Sequence, residues 1–153
     1  MRKLRLLAAV CVLAACSRGG REVITTAPGA PPAIGPYSQA VRVGDTLYLA
    51  GQIGIDAQTG AFVPGGIGPQ TRRALENCRA VLETAGFTLT DVVQAQVFLE
   101  DIDDFAAMNE VYATFFPQAP PARATVEVAE LPRGAKVEVM LTAVRQGPAA
   151  GRR

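Results

Sequence analysis

The 153-residue sequence contains no histidine. Every mechanism that needs an imidazole base, a His-paired nucleophile or a His-ligated metal is excluded at once. Cysteine is scarce, at positions 11, 16 and 78 only. There is also no apolar run long enough to span a bilayer: Leu6 to Ala15 rises only about 15 Å as a helix, half the hydrocarbon thickness. A basic excess is missing as well, because beyond residue 15 there are 12 basic and 14 acidic side chains, a net charge of −2. That balance disfavours a nucleic-acid groove or a polybasic membrane patch. What is present is a composition of 49% hydrophobic and 19% charged residues, that of one globular domain with a sizeable core.

Arg2, Lys3 and Arg5 precede the apolar run, and Leu13-Ala14-Ala15-Cys16 closes it with small residues, which is how a secretory signal reads. The closing tetrad resembles the lipobox of bacterial lipoproteins. That resemblance implies cleavage before Cys16, acylation of its thiol and new amino group, and, with Ser17 rather than Asp next to it, sorting to the periplasmic face of the outer membrane. The alternative is an ordinary signal peptide with a chance cysteine. Residues 1–15 are expected to be the signal and 16–32 a flexible tether, since Gly, Pro, Thr and Ala dominate Gly19 to Pro32. A domain is expected over 33–146, followed by a tail at 147–153. With Cys11 lost and Cys16 acylated, Cys78 has no partner for an intramolecular disulfide.

Within the domain, Val41–Val43 and Thr46–Ala50 flank Gly44-Asp45 and predict a hairpin. Gln52–Asp56 and Ala61–Val63 predict short strands. Ala74, Leu75, Cys78, Val81, Leu82 and Ala85 fall at helical spacing from Ile67 onward, and Gly86 ends that helix. Val93, Ala95, Val97 and Leu99 alternate as one face of a strand. Phe105, Met108, Tyr112 and Phe115 make the stripe of a second helix that Pro117 stops. Thr125–Ala129 and Lys136–Val144 predict two last strands. This order suits a two-layer α+β domain with both helices on one face of a mixed sheet. Two helices cannot cover both faces, so Phe98 and Met140 are expected on a face that a second copy would cover.

Chemistry has few candidates. Gly65-Gly66-Ile67-Gly68 and Gly51-Gln52-Ile53-Gly54 match no phosphate-binding motif. Cys78 on an apolar helix face reads as a buried structural thiol. The acids Glu100, Asp101, Asp103 and Asp104 stand where a helix N-terminus attracts them, ahead of a cation site. Glu138 is different, because it interrupts an apolar strand between Val137 and Val139. It is either a structural salt bridge or a carboxylate kept as a general base. Arg123, after Pro120-Pro121-Ala122 at the mouth of a strand, offers the planar fork that grips a carboxylate.

The ordered motifs Ala33-Ile34-Gly35-Pro36-Tyr37-Ser38-Gln39-Ala40, Gly51-Gln52-Ile53, Asn77, Asp104-Phe105, Met108-Asn109, Tyr112, Phe115-Phe116, Pro121-Ala122-Arg123, Leu131-Pro132 and Val137-Glu138 resemble the Rid family, also called YjgF or L-PSP, over about Ala27 to Arg145. The resemblance implies a chorismate-mutase-like α+β fold, a homotrimer, and three sites in the clefts between subunits. It implies hydrolysis of 2-aminoacrylate and related 2-imino acids to 2-keto acids and ammonia, without a cofactor or metal. In that mapping Arg123 holds the substrate carboxylate and Glu138 handles the attacking water. Tyr37 and Asn109 line the pocket, and backbone near Gly51 and Thr125 positions the ligand. Ala50 stands where the deaminases commonly carry serine, so one pocket hydroxyl is missing; Gly54 and Thr125 replace a frequent proline and cysteine. The competing readings are a non-catalytic envelope lipoprotein that binds a small carboxylate or a protein partner, and a ribonuclease or translation inhibitor, which the charge of −2 and the export signal disfavour.

Overall fold

The structure, a computed structural model, describes residues 20–145. The signal at 1–15, Cys16 and the tail at 147–153 lie outside the described residues. Seven strands and two α-helices follow in the order β1 (Arg21–Ile24), β2 (Ala40–Val43), β3 (Thr46–Leu49), β4 (Gln52–Ile53), α1 (Ile67–Thr84), β5 (Val92–Leu99), α2 (Phe105–Phe115), β6 (Ala122–Glu127) and β7 (Val137–Val144).

The strands form one sheet in the order β1-β2-β3-β7-β5-β6, with β4 also paired to β7. All pairs are antiparallel except β5 with β6. A parallel pair needs a crossover, and α2 supplies it between those two strands. Gly44 takes φ 59° in the two-residue loop between the paired residues Val43 and Thr46, a conformation that favours glycine. Both helices lie on one face of this mixed sheet, as the periodicities predict. The core between the layers joins Ala74, Leu75, Cys78, Val81 and Leu82 of α1 to Leu47, Leu49, Ala95, Val97, Val139, Leu141 and Ala143 of the sheet.

Five expectations need correction. Residues 16–32 were expected to be a tether, yet Arg21–Ile24 pairs antiparallel with Ala40–Val43, and Ile24 and Ala27 are buried. The β-branched pair Val23-Ile24 and a free sheet edge outweigh the Gly and Pro around them. In β5 a bulge between Val92 and Gln94 shifts the register, so Val92 is buried and Val93 exposed. β6 starts at Ala122, which puts Arg123 inside a strand rather than at its mouth. In α2 only Met108 and Tyr112 are fully buried. Phe115 is partly buried against the core, with Arg72 and Arg79 at 6.0 and 5.9 Å from its ring, whereas Phe105 is exposed, with Arg123 at 5.7 Å. The expected return strand at Ala61–Val63 is reduced to a single bridge between Ile55 and Phe62.

The face away from the helices carries Tyr48, Val43 and Val126, all exposed, with Phe98 and Met140 half-buried. No element of the described chain crosses it.

Candidate active site

Strand alternation in β7 sends Val137, Val139, Leu141 and Ala143 into the core and leaves Glu138, Met140, Thr142 and Val144 on the open face. Glu138 reaches back over Gly51. A methyl group at Gly51 would overlap Oε1 of Glu138 and stand 2.6 Å from its Cδ, so no larger residue fits at 51 while the carboxyl holds this position. Tyr37, Ala50, Gly51 and Glu138 line a cavity of about 230 Å³ whose apolar walls are Ile34, Ile53 and Pro132. The Tyr37 hydroxyl accepts a hydrogen bond from the Ile34 amide at 3.3 Å. Among the described residues Glu138 has no cationic partner within ion-pair distance. Loss of surrounding water raises the pKa of its carboxyl above the ordinary glutamate value.

Buried amides fix the irregular backbone around this cavity. Asn77 on α1 donates to the carbonyls of Ile53 at 3.1 Å and Ile55 at 2.9 Å. Gln52 donates to Gln39 at 3.0 Å, and Gln39 in turn donates to the Pro31 carbonyl at 2.6 Å. Gln70 accepts from the Lys136 amide at 3.0 Å, just ahead of Glu138. These side chains satisfy backbone groups that no ladder reaches, and so hold the Pro31–Tyr37 and Gly51–Ile55 segments against the sheet.

Arg123 belongs to a second cluster. β6 runs in register with β5, pairing Arg123 with Ala95 and Thr125 with Val97, both of which face the helices. The Arg123 guanidinium lies over the Tyr112 ring at 4.4 Å and near Phe105 at 5.7 Å. Asn109 falls four residues after Phe105 on α2, on the same helical stripe. Thr125 Oγ1 is buried with no hydrogen-bond partner among the described residues. No acidic side chain lies within ion-pair distance of Arg123 among them.

Within the chain these residues therefore fall into two separate clusters rather than one. Glu138 is in register with Phe98 of β5, and Phe98 with Val126 of β6. Arg123 is three residues from Val126 and points to the opposite face. The cavity that gathers Tyr37, Ala50, Gly51 and Glu138 does not include Arg123, Asn109 or Thr125. Sequence reasoning missed the apolar walls Ile34, Ile53 and Pro132 and the two rings beneath Arg123; the helical spacing of Phe105 and Tyr112 was visible but read as core.

The other candidates have structural explanations. Asp101 Oδ1 accepts from the Asp103 amide at 2.9 Å, and Glu100 pairs with Lys136 at 3.0 Å. Cys78 is fully buried in the core and its thiol is held protonated by burial.

Residues 27–145 match the family model described as Endoribonuclease L-PSP. The chain is 50% identical to a RutC family protein of Pyrococcus horikoshii over 82% of this chain and 99% of that one. It is also 50% identical to the 2-iminobutanoate/2-iminopropanoate deaminase of Capra hircus, over 84% of this chain and 92% of the relative. Among solved structures it is similar to TdcF of E. coli with bound serine, with 40% identity, a TM-score of 0.78, and 82% and 100% of the two chains covered. A two-layer α+β fold in which a buried-amide scaffold holds Glu138 over Gly51, matched across nearly the whole described chain, places this protein in the L-PSP family, the Rid or YjgF family that its motifs resemble.

Proposed function

We propose that this protein hydrolyses small 2-imino acids of the 2-iminopropanoate type to 2-keto acids and ammonia, at a site completed by a second copy of the chain. The observation that carries this reading is the pair of half-sites, each with a charge that has no ion-pair partner among the described residues. A closed ring with a heterologous interface brings one surface of each subunit against a different surface of its neighbour. Such a ring, a trimer in this reading, covers the open sheet face and seats the Arg123 cluster of one copy over the Glu138 cavity of the next. The deaminase names of close relatives support the substrate class.

In this site the Arg123 fork holds the substrate carboxylate, with Asn109, Tyr37 and backbone at Gly51 and Thr125 around the ligand. Glu138 accepts a proton from water as the oxygen bonds to the imine carbon and the C=N π electrons move to nitrogen. The same carboxyl returns that proton to nitrogen, giving a carbinolamine; a second proton then passes from its new hydroxyl by way of Glu138 to the amino group as the C–N bond breaks, so that ammonia leaves and the carbonyl forms. A raised pKa suits this exchange, since a general base works best with a pKa nearer the working pH. Water and a carboxyl suffice, so the step asks for no cofactor. The direct test is purified protein with 2-imino acids generated in place from several amino acids: faster release of ammonia than in buffer is expected, and decay at the buffer rate for every substrate overturns the enzyme reading in favour of a binding protein.

The N-terminal motif supports an exported lipoprotein anchored through Cys16. With β1 beginning at Arg21, the link from the lipid to the sheet is five Cα steps, about 17 Å at full extension. The domain would then ride close to the bilayer. Mass spectrometry of the native N-terminus is expected to find acylated Cys16, and an unmodified residue there overturns the anchor while leaving the domain chemistry untouched.

A further inference from the structure

Arg123 stands on the edge strand β6 with the Cζ of its guanidinium over an aromatic support. The Tyr112 ring centroid is 4.4 Å away and that of Phe105 5.7 Å, and the two rings are seven residues apart on one face of α2. Tyr112 is itself fixed: its side chain is buried, and its ring packs against Phe116 at 4.7 Å with the two planes tilted by 34°. Its hydroxyl has no hydrogen-bond partner among the described residues. Burial keeps that hydroxyl protonated, with a pKa pushed up to about 12. A phenol so placed neither donates within the fold nor exchanges protons near neutrality, so what the position uses is the face of the ring.

A guanidinium stacked on a ring is gripped by its plane and keeps its N–H edge free, whereas one held by a carboxylate has that edge occupied. We propose that Tyr112, with Phe105 as the second ring, is a positioning residue that orients the Arg123 fork toward the substrate carboxylate. The proposal rests on the imine-hydrolase reading for the identity of the anion, but the support itself is a property of the folded chain.

The test uses the assembled protein with Tyr112→Leu and Tyr112→Phe. Leucine fills much of the space without a π face. It is expected to raise KM for the 2-imino acid, and to weaken binding of 2-oxobutanoate, by roughly 3- to 30-fold, the range of a cation–π contact from exposed to desolvated. The change in kcat should be small by comparison. Tyr112→Phe restores the ring and with it the wild-type KM, and its melting temperature should equal or exceed that of wild type, because an unpartnered buried hydroxyl has been removed. If Tyr112→Leu loses kcat at unchanged KM, the residue is merely structural; if Tyr112→Phe fails as Tyr112→Leu does, the hydroxyl matters; either result overturns the proposal. Should the wild type hydrolyse no imine, NMR separates the two claims. Upfield ring-current shifts of the Arg123 δ-methylene protons in the wild type and Tyr112→Phe, lost in Tyr112→Leu, uphold the support and overturn only the chemistry. Unshifted signals in the wild type overturn the support.

Discussion

Glu138→Gln is expected to lower kcat on 2-imino acids by on the order of 10²- to 10⁴-fold, the contribution of a positioned general acid or base, while binding of a keto-acid product is retained. Gln keeps the shape that lies over Gly51 and removes only the capacity to take a proton. In the wild type the carboxyl must be ionised to act, and burial raises its pKa. The kcat profile should therefore carry an acid limb, raised by that burial and lowered by the neighbouring copy's Arg123, and in Glu138→Gln it should disappear. Stability is expected to move in the other direction. A carboxyl whose pKa is higher in the folded than in the unfolded chain favours folding most below the unfolded pKa, and loses that benefit as pH rises through the folded pKa. At pH 7 the ionised, half-buried Glu138 burdens the fold, so thermal denaturation of Glu138→Gln should show equal or greater stability than wild type, the gain vanishing on acidification. A variant that is both inactive and less stable at neutral pH contradicts this account of the residue.

Arg123→Ala should cost on the order of 10²- to 10³-fold in kcat/KM, the usual scale for removing one partner of a close charge pair at an interface. Arg123→Lys should be nearly as damaging. Lysine keeps the charge but offers a compact ammonium in place of the planar fork that lies over Tyr112 and near Phe105. Since Arg123 has no acidic partner among the described residues, neither change should lower the melting temperature much, and steady-state kinetics beside a thermal scan will separate a functional loss from a folding loss.

Much of this was legible in the sequence. The α1 stripe at Ala74, Leu75, Cys78, Val81 and Leu82 is a 3.6-residue period and became the core of the helix layer. The alternation of β7 singled out Glu138, because a carboxylate among Val137, Val139 and Met140 breaks the pattern of a strand that otherwise needs no charge. The failures have local causes. β1 was hidden because composition was read over a window rich in Gly and Pro, whereas strand formation depended on an edge that β2 supplies. Val93 was assigned inward because strict alternation cannot register a bulge. Phe105 keeps the spacing of the stripe yet is exposed, because periodicity does not tell a ring that meets the sheet from one that meets a guanidinium. Least legible was the separation of Arg123 from Glu138. It follows from the spatial order β7-β5-β6, in which β5 comes between two strands that are successive in the sequence, and no short-range pattern carries that order.

The central claim, that one copy supplies Arg123 and its neighbour supplies Glu138, is tested most directly by subunit mixing. Arg123→Ala and Glu138→Gln chains, each inactive alone, are coexpressed in equal amounts and assayed after joint purification. With random assembly in a closed ring, an interface joins an intact Arg123 to an intact Glu138 in about one case in four, so activity should return to roughly a quarter of the wild-type value. If both groups act within one chain, no intact site can form, and activity that stays at the level of the separate variants contradicts the shared site.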